Sequence, residues 1–213
     1  MIVVVLDGAI GAGKSTLLQI LGTELGKKYK VVTVPEPVDL WTSTGALADF
    51  YRDVKGKAYE FQTFTFATRI QKLQEAWENN PDADIYIIER SPLSDRYMFV
   101  EMLHDTGHFT DHQLQKYEIW WNVWIKLWPI TPTHFIHIHP GLDACMNRVE
   151  NRAREGENTI DTNYQQNLIA KHEKFFKTRC PCPHLELNCT SDYRPIGPER
   201  EQLLEKIKKF LNL

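Results

Sequence analysis

Gly8-Ala9-Ile10-Gly11-Ala12-Gly13-Lys14-Ser15, with Thr16 directly after it, is the stretch that most limits how this chain can fold. An apolar run at 2–6 precedes it, and a helical pattern at 14–27 follows it. Strand, glycine-rich loop and helix in that order make a phosphate-binding loop. Glycines let backbone N–H groups turn toward phosphate oxygens, the helix N-terminus adds positive potential, and Lys14 reaches the outer phosphates. Ser15 is placed to hold Mg²⁺. A nucleoside triphosphate is the expected ligand, but such a loop does not say what accepts the phosphate, or whether anything does.

The strand–helix alternation continues to the end of the chain. Apolar runs at 2–6, 31–34, 85–88, 134–138 and 185–187 read as strands. Stretches 14–27, 60–79, 93–104, 111–127, 142–154, 163–178 and 199–211 read as helices. Nearly continuous apolar strands suit a sheet covered on both faces. The expected architecture is one α/β domain over 1–213, a five-stranded parallel sheet flanked by helices, with right-handed crossovers. No internal repeat, low-complexity segment or linker interrupts it.

Charge narrows the partners. With 25 Lys+Arg against 28 Asp+Glu the net charge is -3, so the chain lacks the basic excess that binders of polymeric nucleic acid use. Cys180-Pro181-Cys182-Pro183 does not have the paired spacing of a structural zinc site, and Cys145 and Cys189 complete a set of thiols expected in a reducing compartment. No stretch approaches the ~20 apolar residues of a membrane span. The first apolar run already feeds the loop, which leaves no room for a targeting segment, so the cytoplasm is the expected location. In 111–127 and just beyond, Trp120, Trp121, Trp124 and Trp128 join Tyr117, Ile119, Val123 and Ile125 on more than one helical face. Burial by more than one neighbour is expected, with a partner subunit on one face as the sharper form of that reading.

Ligands of open parallel sheets bind at the carboxyl ends of the strands. The second strand ends in Val34-Pro35-Glu36-Pro37-Val38, where two prolines aim a carboxylate stiffly toward the phosphate-loop side. The third ends in Glu89-Arg90-Ser91; Glu89 suits a magnesium shell, and Arg90 suits either phosphate or Glu36. Arg148 and Arg152 share a helix face with Arg154 just beyond, and Glu155-Gly156-Glu157 follows. Clustered arginines without acidic partners beside them suit a transferring phosphoryl group. Gln62, Thr65 and Arg69 recur at helical spacing, and Asp95 is positioned to pair with Arg69 across a pocket walled by Phe61, Phe64 and Phe99.

Together with Trp41, Tyr51, Arg96 and Tyr97, these stretches make nearly the whole chain resemble the deoxynucleoside kinases, the family of deoxycytidine, deoxyguanosine and insect deoxynucleoside kinases. The resemblance implies a P-loop kinase fold and transfer of the γ-phosphate of ATP, or another triphosphate, to the 5′-hydroxyl of a deoxynucleoside. It implies that Glu36 is the general base with Arg90 beside it, and that Tyr51 and Glu157 hold the sugar 3′-hydroxyl. Gln62 would bond the base edge, with Phe61, Phe99 and Trp41 as walls, while Ser15 and Glu89 would bind Mg²⁺. Arg148, Arg152 and Arg154 would form a lid, about 148–157, over the donor phosphates, mobile without ligand, and the loop at 188–193 would read the donor base. A homodimer built on 60–79 and 111–127 is implied as well. The deoxycytidine and deoxyguanosine kinases share the Arg69–Asp95 combination, whereas the thymidine-accepting insect type has smaller apolar residues there. The implied substrates are therefore purine deoxynucleosides or deoxycytidine, with thymidine poor. A nucleoside monophosphate kinase would share the fold class but would offer cations where Glu36 stands.

Overall fold

Five short strands pair in parallel: β1 (Ile2–Asp7), β2 (Val31–Val34), β3 (Ile85–Glu89), β4 (His134–Ile138) and β5 (His184–Leu187), in the order β2-β3-β1-β4-β5. The computed structural model describes residues 1–128, 131–154, 157–190 and 192–213. β3 shows why the strands carry so few polar residues. Ile85 and Ile87 enter the larger apolar cluster with Leu17, Leu18 and Leu21, while Tyr86 and Ile88 enter a smaller one with Val3, Val34 and Leu73. Both faces of the sheet are covered, as its nearly continuous apolar runs require. Leu6 stands opposite Glu89 and Asp7 opposite His137, so the carboxyl ends of β3, β1 and β4 lie side by side.

The helices are α1 (Lys14–Leu25), α2 (Val38–Ser43), α3 (Ala46–Arg52), α4 (Val54–Asn79), α5 (Pro92–Ser94), α6 (Glu101–Asp105), α7 (Asp111–Leu127), α8 (Leu142–Arg152), α9 (Thr162–Thr178) and α10 (Pro198–Leu211). A π-helical turn (Asp95–Val100) joins α5 to α6, and a 3₁₀ turn (Glu157–Thr159) follows α8. All five strands and seven of the helical regions fall where the apolar pattern puts them, apart from end shifts such as α1 stopping at Leu25 and α8 at Arg152.

Four differences have physical causes. α4 starts at Val54 rather than at 60, because Asp53 caps it by accepting the Gly56 N–H at 2.9 Å. Gly56 reads as a breaker but sits in the first turn, where backbone N–H groups have no helical partner to lose. The short helices α2 and α3, absent from the sequence reading, flank Gly45 in a left-handed turn (φ 74°). The stretch expected as one helix over 93–104 is helical throughout but widens into the π turn. Finally, α7 is not enclosed on every side. Tyr117 is buried, whereas Ile119, Trp120, Val123 and Trp124 are 68, 55, 53 and 36% exposed.

Among the described residues no helix is long and apolar enough to cross a membrane. Ile87 is fully buried on β3, flanked by β1 and β2 in the sheet. Ile87→Ala should cost about 2–5 kcal/mol, since the cavity cannot close inside a sheet packed on both faces. The urea midpoint should fall with an unchanged slope; an unaltered midpoint would show that the site collapses freely.

Candidate active site

The glycine-rich loop between β1 and α1 runs too close to its neighbours for any side chain. A Cβ on Gly8 would collide with the Ile138 carbonyl oxygen, and one on Gly11 with that of Cys145, while Gly11 also holds φ 79°. Lys14 Nζ donates to the carbonyls of Gly8 (3.2 Å) and Ala9 (3.0 Å) inside the loop. Burial, helped by Arg90, brings its ammonium down to about 8, against the opposing pull of Glu89, Glu36 and Asp7. An ammonium so held gains by meeting further negative charge. Ser15 Oγ donates to Glu89 Oε1 at 2.9 Å, so the two oxygens proposed for magnesium are adjacent.

Side chains that the sequence reading passed over anchor this loop. Asp7, fully buried just before Gly8, accepts the Gly8 N–H at 2.8 Å and the Ser94 hydroxyl. His172 of α9 brings Nε2 to 3.2 Å from Asp7 Oδ1, while its Nδ1 lies 2.7 Å from the Leu168 carbonyl. Gln165, also on α9, donates to the Ile10 carbonyl. Tyr193 donates to the Gly13 carbonyl at 3.2 Å. Burial alone would raise the Asp7 carboxyl; the hydrogen bond and charge of His172, then Arg90 and Ser94, bring it down to about 2. The contacts of His172, Gln165 and Tyr193 to the loop have no local pattern, because the partners lie 155 to 180 positions apart.

Beyond the loop, four charged side chains meet at the ends of β2 and β3. Arg90 donates from Nη1 to Glu36 Oε2 at 2.5 Å and from Nη2 to the Gly8 carbonyl at 3.2 Å. It does so in the left-handed region, φ 60°, which costs a residue with a Cβ roughly 1 kcal/mol or more. Arg69 of α4 forks onto Asp95, Nε to Oδ2 at 2.9 Å and Nη2 to Oδ1 at 3.1 Å. The same Nη2 donates to Glu36 Oε1 at 2.9 Å, and Nη1 to the Glu89 carbonyl at 3.1 Å. All four side chains are at most 7% exposed, so the Arg69–Asp95 contact is a buried pair and not a surface one. Burial would raise the Glu36 carboxyl, but Arg90, Arg69 and Lys14 hold it well below the usual carboxylate range. Burial also pushes the Asp95 carboxyl up, with Arg69 opposing.

These groups line one cleft of about 630 Å³, together with Trp41, Tyr51, Phe61, Gln62 and Phe99. Trp41 is steered by a 2.9 Å bond from its indole N–H to Thr68 and meets Phe61 edge-on at 5.9 Å. Gln62 is 3% exposed, yet its side-chain amide has no hydrogen-bond partner among the described residues. An amide on the cleft wall with no protein partner is open to bond a ligand edge. Val38, Leu47 and Thr65 complete the apolar wall; the first two were missed because α2 and α3 were.

The far side of the cleft carries the arginines of α8. Arg148 donates to the carbonyls of Ala12 and Cys189, both at 2.9 Å. The expectation of arginines without acidic partners is overturned: Arg152 Nε (3.0 Å) and Nη2 (2.5 Å) bind Glu157 Oε2, and Arg154 Nη1 binds Oε1 at 3.0 Å. The chain turns back after α8, with Ala153 in the left-handed region, and that return brings Glu157 onto them. Tyr51 lines the same cleft; burial, then Tyr164 and Glu157, push its hydroxyl well above its ordinary value, which keeps it a donor. Glu155 and Gly156 of the expected lid and Ser191 of the 188–193 loop lie outside the described residues. Asp192 and Tyr193 line the cleft from that loop, and Arg194 just after it.

A family model described as deoxynucleoside kinase matches residues 4–212. A probable deoxycytidine kinase of Fowlpox virus is 32% identical over 211 residues, covering 97% of this chain and 87% of that protein. Deoxycytidine kinase 2 of Gallus gallus is 26% identical over 243 residues, covering 97% and 89%. The mitochondrial deoxyguanosine kinase of Xenopus laevis is 27% identical over 236 residues, covering 96% and 88%.

The network behind the loop has a measurable pH signature. The Asp7 carboxyl lies at about 2 in the fold against an ordinary 3.8, so its charge stabilises the fold fully above about pH 4. That contribution is lost as pH falls through about 2 and is worth about 2 kcal/mol at neutrality. Asp7→Asn should lower stability by about that amount at pH 7, with the gap to the parent closing toward pH 2. A loss of equal size at both pH values would mean that Asp7 contributes shape and not charge.

Proposed function

The chain belongs to the deoxynucleoside kinase family, and on that premise we propose that it transfers the γ-phosphoryl group of ATP to the 5′-hydroxyl of deoxycytidine or a purine deoxynucleoside. The observation that carries this reading is Glu36, an ionised carboxylate between the glycine-rich loop and the apolar pocket, bound by Arg69 and Arg90. A monophosphate acceptor would need free cations there, whereas these two guanidiniums already neutralise Glu36 and Asp95. A hydroxyl acceptor needs an acceptor for its proton, which Glu36 is.

In the transfer the bond from the 5′-oxygen to the γ-phosphorus forms as the bond from that phosphorus to the β-bridging oxygen breaks. The hydroxyl proton passes to Glu36, and a nucleoside diphosphate leaves. Two guanidiniums make Glu36 a weak base, but in a loose transition state the nucleophile loses its proton late, so orienting the hydroxyl matters more than basicity. Lys14 and the loop N–H groups receive the donor phosphates, and Arg148, Arg152 and Arg154 close on them as a lid. Ser15 and Glu89 offer the hard oxygen donors that Mg²⁺ takes, and the ion when bound neutralises phosphate oxygens.

The base edge is assigned to the unpaired Gln62 amide and to the Arg69–Asp95 pair, with Trp41, Phe61 and Phe99 as walls. Asp95 accepts from an amino group and repels a carbonyl oxygen at the same place, which disfavours thymine. Tyr51 and Glu157 are assigned to the 3′-hydroxyl. We read 1–213 as one domain, working as a homodimer in the cytoplasm; its four cysteines are free thiols. The dimer reading rests on the exposed stripe of Ile119, Trp120, Val123 and Trp124 on α7, which packs beside α4. A symmetric contact buries the same stripe on both copies at once.

Purified protein with ATP and Mg²⁺ should phosphorylate deoxycytidine or a purine deoxynucleoside, turn over thymidine poorly, and leave the monophosphates untouched. Glu36→Gln should lower kcat about 10²–10⁴-fold with a smaller change in nucleoside binding; near-parental kcat would remove Glu36 from the mechanism. Light scattering at micromolar concentration should give twice the 24.9 kDa chain mass, and Trp120→Asp should shift it to the single-chain value. A single-chain mass in the parent protein would exclude the dimer.

A further inference from the structure

Arg69 has one end in the base pocket and the other on the reacting side of the cleft. Its Nη2 nitrogen donates both to Asp95 Oδ1 at 3.1 Å and to Glu36 Oε1 at 2.9 Å. Of its other N–H groups, Nε donates to Asp95 Oδ2 and Nη1 to the Glu89 carbonyl. Trp41, a wall of the base pocket, stands with its ring 5.7 Å from the same guanidinium. Arg69 and both carboxylates are nearly inaccessible to water, so no solvent layer separates the three charges. Among the described residues, Glu36 itself is held by two hydrogen-bonded side chains, Arg69 and Arg90.

We propose that Arg69 is a positioning residue shared between base recognition and transfer, so that the way a base engages Asp95 sets where Glu36 stands and how strongly it holds a proton. The inference rests on the deoxynucleoside kinase reading and goes beyond it. A nucleobase that donates an amino hydrogen to Asp95 leaves the fork on Arg69 intact, and Glu36 keeps both anchors. A base that presents a carbonyl to Asp95 repels it. The carboxylate then shifts or takes up a proton, and the Arg69 guanidinium is redistributed between its two acidic partners. Because one nitrogen serves both carboxylates, this disturbance cannot stay within the base pocket. Discrimination among bases then shows in kcat as well as in KM, whereas a residue that only binds the base acts uniformly on ground state and transition state and changes KM alone.

The charges facing Glu36 set the direction of a second effect. Lys14 from α1, Arg69 and Lys72 from α4 and Arg90 after β3 favour its ionised form, while Glu89, Asp95 and Asp7 disfavour it. Of the cations, Arg90 and Arg69 touch it. Removing Arg69 together with Asp95 takes away a contacting cation and a more distant anion, so the Glu36 carboxyl must rise.

The test compares the parent with Arg69→Met/Asp95→Ala, which removes both buried charges together. Arg69→Gln/Asp95→Asn serves if the first pair does not fold. In the parent, kcat for the best of deoxycytidine, deoxyadenosine and deoxyguanosine should exceed that for thymidine at least tenfold. In the double variant the ratio of kcat values should fall to within about threefold of one. Separately, the side-chain carboxyl ¹³C signal of Glu36, assigned by its absence in Glu36→Gln, should stay flat down to pH 4 in the ligand-free parent and titrate above pH 4 in the double variant. Discrimination lying wholly in KM in the parent, a kcat ratio unchanged in the variant, or a Glu36 signal equally flat in both would overturn the shared role. If no deoxynucleoside is phosphorylated, the kinase reading fails, and the carboxyl titration alone decides whether Arg69 governs Glu36.

Discussion

The structure depends on neutralising charge at the buried ends of two neighbouring strands. β1 and β3 pair in parallel, so their carboxyl ends, Asp7-Gly8 and Glu89-Arg90, arrive at the same place. Two guanidiniums and several carboxylates gather there with almost no contact with water. An isolated ion in such a place costs several kcal/mol, which only close, well-aligned partners offset. Most of these groups are accordingly bound at least twice: Arg90 to Glu36 and the Gly8 carbonyl, Arg69 to Asp95, Glu36 and the Glu89 carbonyl, Asp7 to Gly8, Ser94 and His172. The left-handed backbone at Arg90 persists because these partners over-determine it.

That arrangement explains which parts of the molecule could be read from the chain. The glycine-rich loop, Pro-Glu-Pro after β2 and Glu-Arg-Ser after β3 are contiguous stretches at strand ends, and their neighbours follow from a parallel sheet. Glu36, Arg69, Arg90 and Asp95 are visible as charges in apolar surroundings, and a buried charge must find a partner. The loop's outer support is different. Gln165 and His172 are ordinary polar residues on an amphipathic helix, and only the packing of α9 shows that they face Ile10 and Asp7. The two short helices after β2 are below the length at which apolar periodicity speaks, although they bring Trp41 and Tyr51 to the cleft.

The π turn over Asp95–Val100 belongs to the same group. Apolar spacing across 93–104 cannot distinguish a regular helix from one containing an extra residue in a single turn. The wider turn lets Asp95 and Phe99 both line the cleft while Met98 and Val100 stay fully buried. Such turns are rare and frequent at functional sites. Here it accommodates a charged residue and an aromatic wall on one side of an otherwise apolar segment.

The lid arginines raise a question of exchange. Arg152 and Arg154 cannot hold both Glu157 oxygens and also close on donor phosphates with the same N–H groups. Their side chains are 34% and 30% exposed, which limits the worth of each pair to about 1 kcal/mol or less. Charge-assisted, often bidentate bonds to phosphate are stronger, so a triphosphate in the glycine-rich loop can draw the arginines across. Glu157 is 4% exposed and would then stand beside Tyr51 as a carboxylate without its cations. A sugar hydroxyl, donating to Glu157 and accepting from Tyr51, restores the balance. On the proposed roles, the pairing of Glu157 with the lid is the resting form of the site, and donor and acceptor each make room for the other.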